Sequence, residues 1–365
     1  MSDNLNPKAG LGRMVTSIAN GLHNNGHEIG FVISSGETKH NSIKVNFRFR
    51  KLNFYNNIID LFRIRKFVRE YDVIICYDVK PAGILAWLAT LGLSSSIIVH
   101  SIGTYSLFEK NKVLKNKIIE KVFSESDRIF IINDFVKRKI EESKENFCFG
   151  DNASIVPVGV DSSLFHIKNK LANDESLGQY IVTVGALKPR KGQLDSIKAF
   201  ETIKDIYPDL KYVLVGSVEE CPDYYGEIRK FIEVCSLEKR IIFLQNISDK
   251  ELITIYRNAL FFIMTSTSTE YAIEGFGMVY IEAALCGITA IGSSDTGAEA
   301  AIINGETGLL VEEGDINQIA RAMDVLLRDE DLRNKLSYNA GENALTYDWK
   351  YVVDLYESEL ANLII

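Results

Sequence analysis

The segment that best indicates the fold is residues 180–192, YIVTVGALKPRKG. Its first five residues form a short, nearly continuous apolar run rich in β-branched side chains, which predicts a buried strand. A loop that contains a glycine follows, and residues 193–207 then continue with helical periodicity. Strand, tight loop and helix in this order form the repeating unit of parallel α/β folds.

The same alternation extends over the rest of the chain. Because the predicted strands are nearly continuous in apolar residues, we expect helices to cover both faces of each sheet. Strands are predicted at residues 27–34, 43–49, 73–77, 96–100, 128–132, 154–158, 180–184, 211–215, 240–244, 260–264, 288–292 and 308–311. The pattern therefore predicts two doubly wound, Rossmann-like α/β domains facing a cleft, with ligands at the carboxyl ends of the strands.

A polar stretch without periodicity separates the two halves. It covers residues 168–179 and predicts a linker between a domain at 1–167 and a domain at 180–345. A chain of 365 residues is long enough for two such domains.

One expected element is missing from the first domain. Its first glycine-rich loop follows only six residues, which are too polar for a central strand. We therefore expect that the chain begins too late, and that an apolar run of about five residues precedes it.

The composition excludes several classes of protein. Apolar residues make up 46% of the chain and charged residues 25%, which excludes a disordered tail, a collagen-like fibre and a coiled coil. No run of 18 apolar residues occurs, and the first residues lack the basic and apolar regions of a secretory signal. The five cysteines are scattered, so disulfides and structural zinc are not expected. These features favour a cytoplasmic protein.

Charge is divided unevenly between the two halves. Residues 1–167 carry a formal net charge of +5, whereas residues 168–365 carry −13. Basic residues of the first half cluster at 48–69 and at 110–121, where aliphatic residues lie between the lysines. Such clusters are most often solvated helix faces, but they also suit an anionic membrane surface, at about 1 kcal/mol for each Lys or Arg. Nucleic-acid binding is not expected, because the chain is acidic and lacks an aromatic–basic recognition motif.

A second segment carries carboxylates suited to substrate binding. Residues 274–287 read EGFGMVYIEAALCG, in which the glycines predict a loop and the following residues a helix that ends at Gly287. Glu274 precedes this helix and Glu282 lies inside it. Free N–H groups at a helix start attract phosphate or sugar oxygens, and an ionised carboxylate accepts hydrogen bonds from paired sugar hydroxyls.

The loop after residues 180–184 carries two adjacent cations, Arg190 and Lys191, directly before a helix. A glycine turn, two cations and a helix start together suit a diphosphate, although basic residues in such loops are commonly solvated. The glycine-rich loop at residues 9–12 also opens a helix, predicted over 12–24, but it lacks a complete GxGxxG fingerprint.

These segments, taken with further motifs, resemble the retaining glycosyltransferases of family 4, which have the two-domain GT-B fold. The resemblance covers nearly the whole chain and is strongest over residues 180–312. The matching segments are AGLGR at 9–13, IVPVGVD at 155–161, VGALKPRKG at 184–192, EGFGMVYIE at 274–282, DTGAE at 295–299 and GETGLLV at 305–311. The resemblance also implies a terminal helix, at 346–365, that packs back on the first domain.

The resemblance implies a role for each matched position. Lys191 would neutralise the diphosphate leaving group, Glu274 would contact the donor sugar, and Glu282 would bind the ribose of the nucleotide. His100, at a strand end, is a third catalytic candidate, although a lone histidine is usually structural. The other donor-binding candidates are the backbone of Phe276, Gly277 and Met278, the cation Arg190, and Gly10 and Gly12, which would let the backbone approach the donor phosphates.

The chain departs from the family pattern at two matched positions. Ala186 replaces the arginine of the phosphate-binding loop. Arg190 is a candidate substitute, although its position beside Lys191 predicts that its side chain points elsewhere. Val158 replaces an asparagine before the linker.

The resemblance implies a reaction without a metal ion or other cofactor. No Asp-x-Asp triplet occurs on a suitable loop, so Lys191 and helix dipoles would stabilise the departing diphosphate. The departing phosphate oxygen would take the proton of the acceptor. The donor would be a nucleotide-diphosphate sugar, and the acceptor a glycan or lipid-linked molecule of surface polysaccharide or lipopolysaccharide synthesis. The sequence does not identify the nucleotide base, the sugar, the particular acceptor or the oligomeric state.

Two other classes stay open at this point. A Rossmann dehydrogenase would need the GxGxxG fingerprint and an acidic residue about 20 positions later, and both are absent. A non-catalytic GT-B scaffold in an envelope-polymer assembly complex is favoured by Ala186 and by the missing first strand.

Overall fold

The computed structural model of the chain describes residues 1–5, 10–45, 54–165, 177–269 and 272–363. Met1–Gly159 and Trp349–Ile365 form unit 1, and Val160–Asp348 form unit 2. Unit 1 ends before the predicted boundary at residue 167, and most of the predicted linker at 168–179 lies outside the described residues.

The described strands of unit 1 are β1 (Ser2–Asn4), β2 (Gly30–Ser35), β3 (Asn41–Lys44), β4 (Val73–Tyr77), β5 (Ser96–Ser101), β6 (Arg128–Ile131) and β7 (Ala153–Ile155). All of them pair in parallel, in one sheet of order β1-β2-β3 and another of order β4-β5-β6-β7. The helices are α1 (Gly10–Asn24), α2 (Phe54–Val68), α3 (Ile84–Thr90), α4 (Val113–Ser124), α5 (Asp134–Glu142) and, from the end of the chain, α13 (Trp349–Ala361).

The sequence of α1 explains how this helix packs. Val15, Ile18 and Leu22 recur at helical spacing and are buried, which gives the helix one apolar face. The helix also packs against α13, as predicted for the end of the chain.

The first strand of unit 1 is present but short. β1 contains three residues and pairs with β2 in the register that joins Ser2 to Ile33. The N–H of Tyr77 donates to the carbonyl of Met1 (3.2 Å), so β1 lies between β2 and β4 and links the two sheets. The prediction that this strand is missing is therefore corrected, because a three-residue strand occupies its place.

The described strands of unit 2 are β8 (Tyr180–Val184), β9 (Lys211–Val215), β10 (Ile241–Leu244), β11 (Phe262–Met264), β12 (Ala290–Ser293) and β13 (Gly308–Val311). The helices are α6 (Ser162–Phe165), α7 (Gln193–Ile203), α8 (Pro222–Val234), α9 (Asp249–Asn258), α10 (Met278–Leu285), α11 (Ile316–Arg328) and α12 (Glu330–Ala344). In neither unit does a described helix combine the length and the apolarity that crossing a bilayer requires.

The strand order of unit 2 explains where its site lies. Its parallel sheet has the order β10-β9-β8-β11-β12-β13, so the direction of winding reverses between β8 and β11. Ligands of doubly wound folds bind at such a reversal, outside the carboxyl ends of the strands. The predicted α/β architecture is confirmed, and the loops after β8 and β11 are the first place to look for a site.

Candidate active site

The loop after β8 is fixed against the end of β11 by one glycine. Residues Pro189–Lys191 form a single 3₁₀ turn, and Gly192 follows with a φ of 67°, in the left-handed region. A Cβ at Gly192 would lie 1.8 Å from the carbonyl oxygen of Thr265, which is less than any real contact. The N–H of Thr267 also donates to the carbonyl of Arg190 (2.8 Å). The turn that carries the two cations is therefore held in one position.

Both cations of this turn bind the carboxylate of Glu274. The Nζ atom of Lys191 lies 2.7 Å from Oε1 of Glu274, and Nη1 of Arg190 donates to Oε2. The side chain of Glu274 is 8% exposed, against 14% for Lys191 and 35% for Arg190. We call these three residues the Glu274 triad. It carries two positive charges and one negative charge at the reversal point of the sheet.

The position of Arg190 corrects one expectation. Its side chain was predicted to point away from that of Lys191, yet both contact the same carboxylate. Both residues lie in the 3₁₀ turn directly before α7, and their long side chains converge on Glu274 although they leave the backbone in different directions. Arg190 therefore supplies a cation to this loop, in which Ala186 replaces the arginine of the family pattern.

The environment of Glu274 keeps it ionised. Burial by itself would raise the pKa of this carboxyl, but the charges of Lys191 and Arg190 outweigh burial and hold the pKa below its ordinary value. The carboxylate can still accept further hydrogen bonds, because each of its oxygens has two lone pairs.

A neighbouring loop positions the backbone of Glu274. The N–H of Gly297 donates to the carbonyl of Glu274 (2.9 Å), and Thr296 caps the short turn that follows. A Cβ at Gly297 would lie 2.5 Å from that same carbonyl oxygen. The sequence analysis recognised the segment 295–299 but gave it no role, and this packing supplies one.

The start of α10 has the geometry of an anion site. Gly277 precedes the helix with a φ of 77°, and Met278 is the first helical residue. Phe276 is buried, with its ring 5.5 Å from that of Tyr347, so only its backbone is available to a ligand. The first N–H groups of a helix have no partner within the helix and lie at its positive end. The binding roles of these three residues stay predictions.

Glu282 lies about one turn inside α10 and is almost fully buried. The hydroxyl of Tyr256, on α9, donates to its Oε2 at 3.3 Å. Tyr256 is itself buried and was missed by the sequence analysis, since a tyrosine within an apolar helix face predicts a core residue. The contact orients Glu282, and the ribose-binding role stays a prediction.

The candidates from unit 1 lie in two different settings. Gly10 and Gly12 were predicted to belong to a loop, but both lie in the first turn of α1, where Gly12 is buried. His100 lies in β5 and is fully buried. Its Nε2 contacts the carbonyl of Val156 (3.0 Å), and its Nδ1 contacts the hydroxyl of Tyr356 on α13. Burial lowers the pKa of His100 to about 3, so the ring is neutral at pH 7.

The sequence analysis missed one buried acid of unit 1. Asp78 follows β4 with a φ of 65° and accepts hydrogen bonds from Ser106 Oγ (2.7 Å) and from the N–H groups of Ile102 (3.0 Å) and Gly103 (3.3 Å). Burial raises the pKa of Asp78 to about 6, although these hydrogen bonds act in the opposite direction. An acidic residue directly after an apolar strand was the available signal.

Comparisons with known proteins identify the class. The family model described as glycosyl transferases group 1 matches residues 167–343, and the model described as glycosyltransferase family 4 matches residues 9–164. The structure of HepE from Anabaena in complex with UDP and glucose superposes with a TM-score of 0.81 and 17% identity, covering 99% of this chain and 98% of that one. Fold and family matches together define a glycosyltransferase of the GT-B class.

Curated relatives agree with this class. The D-inositol 3-phosphate glycosyltransferase of Corynebacterium glutamicum is 32% identical over 229 residues, which cover 58% of this chain and 53% of that protein. The match thus spans about half the length of that relative. The capsular polysaccharide biosynthesis glycosyltransferase CapM of Staphylococcus aureus is 27% identical over 311 residues, or 80% of this chain and 77% of that protein. This chain belongs to the group 1 glycosyltransferases of family 4, which excludes the dehydrogenase alternative.

Proposed function

We propose that this glycosyltransferase moves a sugar from a nucleotide-diphosphate donor to a glycan or lipid-linked acceptor, with retention of anomeric configuration. The Glu274 triad is the observation that carries the proposal. One carboxylate shared by two cations leaves an excess positive charge beside the start of α10. A diphosphate suits this position because both the cations and the helix end favour negative charge.

The chemistry follows from where charge develops. When the bond between the sugar and the phosphate breaks, the leaving diphosphate gains negative charge. Lys191 and Arg190 stabilise this charge without moving, because the turn that carries them is fixed by Gly192. The carboxylate of Glu274 orients both cations and accepts hydrogen bonds from sugar hydroxyls. The departing phosphate oxygen takes the proton of the acceptor as the acceptor oxygen bonds to the sugar, so the reaction needs no separate enzymic base. Lys191 and Arg190 are proposed to stabilise the leaving diphosphate in place of a metal ion.

Glu282 is proposed to bind the ribose of the donor nucleotide. Its position inside α10 and its contact with Tyr256 give it a fixed orientation. A carboxylate held in this way can accept from two adjacent hydroxyls. The UDP bound to HepE supports a nucleotide donor for this fold, and the base and sugar used by this chain are left to experiment.

The acceptor is proposed to belong to surface polysaccharide or lipopolysaccharide synthesis. The similarity to CapM, which is named as a glycosyltransferase of capsular polysaccharide biosynthesis, supports this proposal. The reaction would take place on the cytoplasmic face of a membrane. At the start of α4, the side chains of Val113 and Leu114 are exposed beside Lys112 and Lys115. Apolar and basic groups at one exposed helix end suit an anionic lipid surface.

The experiment measures sugar transfer by the purified chain, after a thermal-shift screen against nucleotide sugars has identified the donor. Lys191→Ala is expected to lower kcat by about 100-fold to 1000-fold, the range seen when one stabiliser of developing charge is removed. Lys188→Ala is the matched control, because Lys188 lies on the same loop but pairs with Glu220 (2.6 Å). Activity that survives a metal chelator would support metal independence.

The alternative is a non-catalytic GT-B scaffold in an envelope-polymer assembly complex, which the replacement of an arginine by Ala186 favours. A scaffold would show neither transfer nor donor hydrolysis with any donor that it binds. Equal kcat values for Lys191→Ala and Lys188→Ala would contradict the role given to the triad.

A further inference from the structure

An exposed tyrosine, Tyr105, lies on a loop at the carboxyl end of the parallel strands of unit 1. Because β1 lies between β2 and β4, the direction of winding in this unit reverses between β1 and β4. Asp78 is the first residue after β4, and residues 102–106 form the loop after β5, the strand that pairs with β4. Ligands of doubly wound folds bind at such a reversal, so both segments lie where a ligand is expected.

The carboxylate of Asp78 holds this loop in place. Its Oδ1 atom accepts from the N–H groups of Ile102 (3.0 Å) and Gly103 (3.3 Å) and from Oγ of Ser106 (2.7 Å). One oxygen therefore binds both the start and the end of the loop. The N–H of Asp78 donates to the carbonyl of His100 (2.8 Å), which fixes Asp78 itself to β5. The loop is thus preorganised before a ligand binds.

This arrangement is costly in free energy. Asp78 is only 4% exposed, and burial raises its pKa to about 6 because it disfavours the ionised form. An uncharged side chain at this position would avoid the cost of burying a carboxylate. Ionisable groups kept in unfavourable surroundings are often found at functional sites. The cost therefore points to a function for the loop that Asp78 holds.

The loop presents the aromatic ring of Tyr105 to solvent, with 62% of the residue exposed. Residues 102–106 read IGTYS and carry no charge, so they do not suit a diphosphate, which binds best beside cations. Lys80 also follows β4, but its Nζ contacts Glu109 (2.9 Å) and the carbonyl of Leu107 (2.8 Å). A sugar ring has C–H groups on its faces and hydroxyls at its rim, which match the apolar face and the hydroxyl of a tyrosine.

We propose that Tyr105 contacts a sugar ring of the acceptor glycan, and that Asp78 is a positioning residue that acts through the loop without touching the acceptor. The inference rests on the proposed function, because it takes the acceptor to be a glycan. A ring on a preorganised loop loses little conformational freedom when the sugar binds, so more of the contact energy remains for affinity. The diphosphate of the donor is left to the Glu274 triad of unit 2.

The first test measures glycan binding, which does not require transfer. The native chain is applied to an array of bacterial capsular and lipopolysaccharide oligosaccharides, and the oligosaccharide that it binds most strongly becomes the probe. Tyr105→Ala should weaken binding of this probe about tenfold, and Tyr105→Phe, which keeps the ring, by about threefold or less. Tyr351→Ala should leave binding unchanged and is the matched control, because Tyr351 is also an exposed tyrosine of unit 1 (58%).

A double-mutant cycle tests the role of Asp78. Asp78→Ala should weaken binding of the probe about tenfold, and Asp78→Asn should restore most of the loss because its amide oxygen can accept the same hydrogen bonds. If Asp78 acts through Tyr105, the double variant should bind no more weakly than Tyr105→Ala alone. Ser106→Ala, which removes one of the three hydrogen bonds to Asp78, takes the place of Asp78→Ala if that variant does not fold.

The possible outcomes separate this inference from the proposed function. Equal binding by the native chain and Tyr105→Ala, or no oligosaccharide bound by the native chain, would overturn the inference. Additive losses in the double variant would overturn the positioning role of Asp78. Failure of the proposed function looks different, since the native chain would then bind the probe through Tyr105 but transfer no sugar to it.

Discussion

Each unit contains a carboxylate that two cations share, and the two arrangements differ in burial and in origin. In unit 1, Glu109 lies 2.9 Å from Lys80 and 2.6 Å from Lys115. The side chain of Glu109 is 28% exposed, against 8% for Glu274. Lys115 is 46% exposed, whereas Lys80, at 12%, is about as buried as Lys191. The cations of unit 1 come from the turn after β4 and from α4, whereas both cations of unit 2 come from one fixed turn.

This difference shows what makes a charged cluster suitable for binding. An exposed cluster gains little from its charges, because water and salt screen them and the side chains lose freedom on pairing. A buried cluster on a fixed turn keeps its geometry and its field before a ligand arrives, and so it can favour a developing charge without rearrangement. The Glu274 triad meets these conditions more fully than the cluster around Glu109.

The largest expected effect comes from substituting Gly192, the residue that lets the turn Pro189–Lys191 lie against Thr265. Gly192→Ala should destabilise unit 2 by about 3 kcal/mol or more, because a Cβ would meet the carbonyl of Thr265 and the backbone would have to shift. Gly178→Ala is the control, since Gly178 has almost the same φ (66°, against 67°) but no atom near its Cβ position. It should cost about 1–2 kcal/mol, for the left-handed conformation alone.

Urea denaturation of both variants, with the unfolding of unit 2 as the observed transition, measures the two losses of stability. Equal losses for the two variants would mean that the contact with Thr265 adds nothing and that the turn is held by other means.

The next effect compares the two clusters directly. Glu274→Gln should lower the free energy of unfolding by about 2 kcal/mol, because it leaves two partly buried cations without a countercharge. This loss is smaller than that expected for a fully buried pair, because Arg190 reaches solvent. Glu109→Gln should cost less, about 1 kcal/mol, because Glu109 and Lys115 reach solvent and the buried Lys80 keeps its hydrogen bond to the carbonyl of Leu107. Urea denaturation at low salt and at 1 M salt would measure both. A larger loss for Glu109→Gln would reverse the comparison.

The sequence predicted the strands of both units well, because buried parallel strands are recognisable as continuous apolar runs. Four of them, β4, β8, β9 and β13, have the predicted bounds. The position of Glu274 relative to Arg190 could not be predicted, because it depends on a 3₁₀ turn that no spacing rule reveals. The burial of His100 was equally hidden, since its partner Tyr356 is 256 residues away.

The acid response of unit 1 is expected to depend on two buried groups with opposite effects. The pKa of His100 is lowered to about 3, so the unfolded state binds its proton more readily and stability falls as the pH drops below about 6.5. The pKa of Asp78 is raised to about 6, so the folded state binds its proton more readily and stability rises as the pH drops from 6 towards 3.8. Between pH 7 and pH 5 the two effects largely cancel.

Removing Asp78 should expose the effect of His100. Asp78→Asn is expected to lose about 1 kcal/mol more than the native chain between pH 7 and pH 5, because one pKa unit corresponds to about 1.4 kcal/mol. Denaturation curves at both pH values would measure the loss, with Asp151→Asn, at an exposed carboxylate of the same unit, as the control. An unchanged pH dependence in Asp78→Asn would show that this carboxyl does not titrate in that range.

The smallest expected effect concerns membrane binding by two exposed aliphatic side chains, one in the basic first half of the chain and one in the acidic second half. Leu114 of unit 1 is 76% exposed among lysines, and Val234 of unit 2 is 75% exposed in the acidic half of the chain. Leu114→Ser should weaken binding to phosphatidylglycerol vesicles by about fivefold, which corresponds to about 1 kcal/mol of lost apolar burial. Val234→Ser should leave binding unchanged, although it removes an equally exposed aliphatic side chain. Vesicle flotation measures both, and equal losses would mean that the lysines around Leu114 do not direct the chain to the lipid.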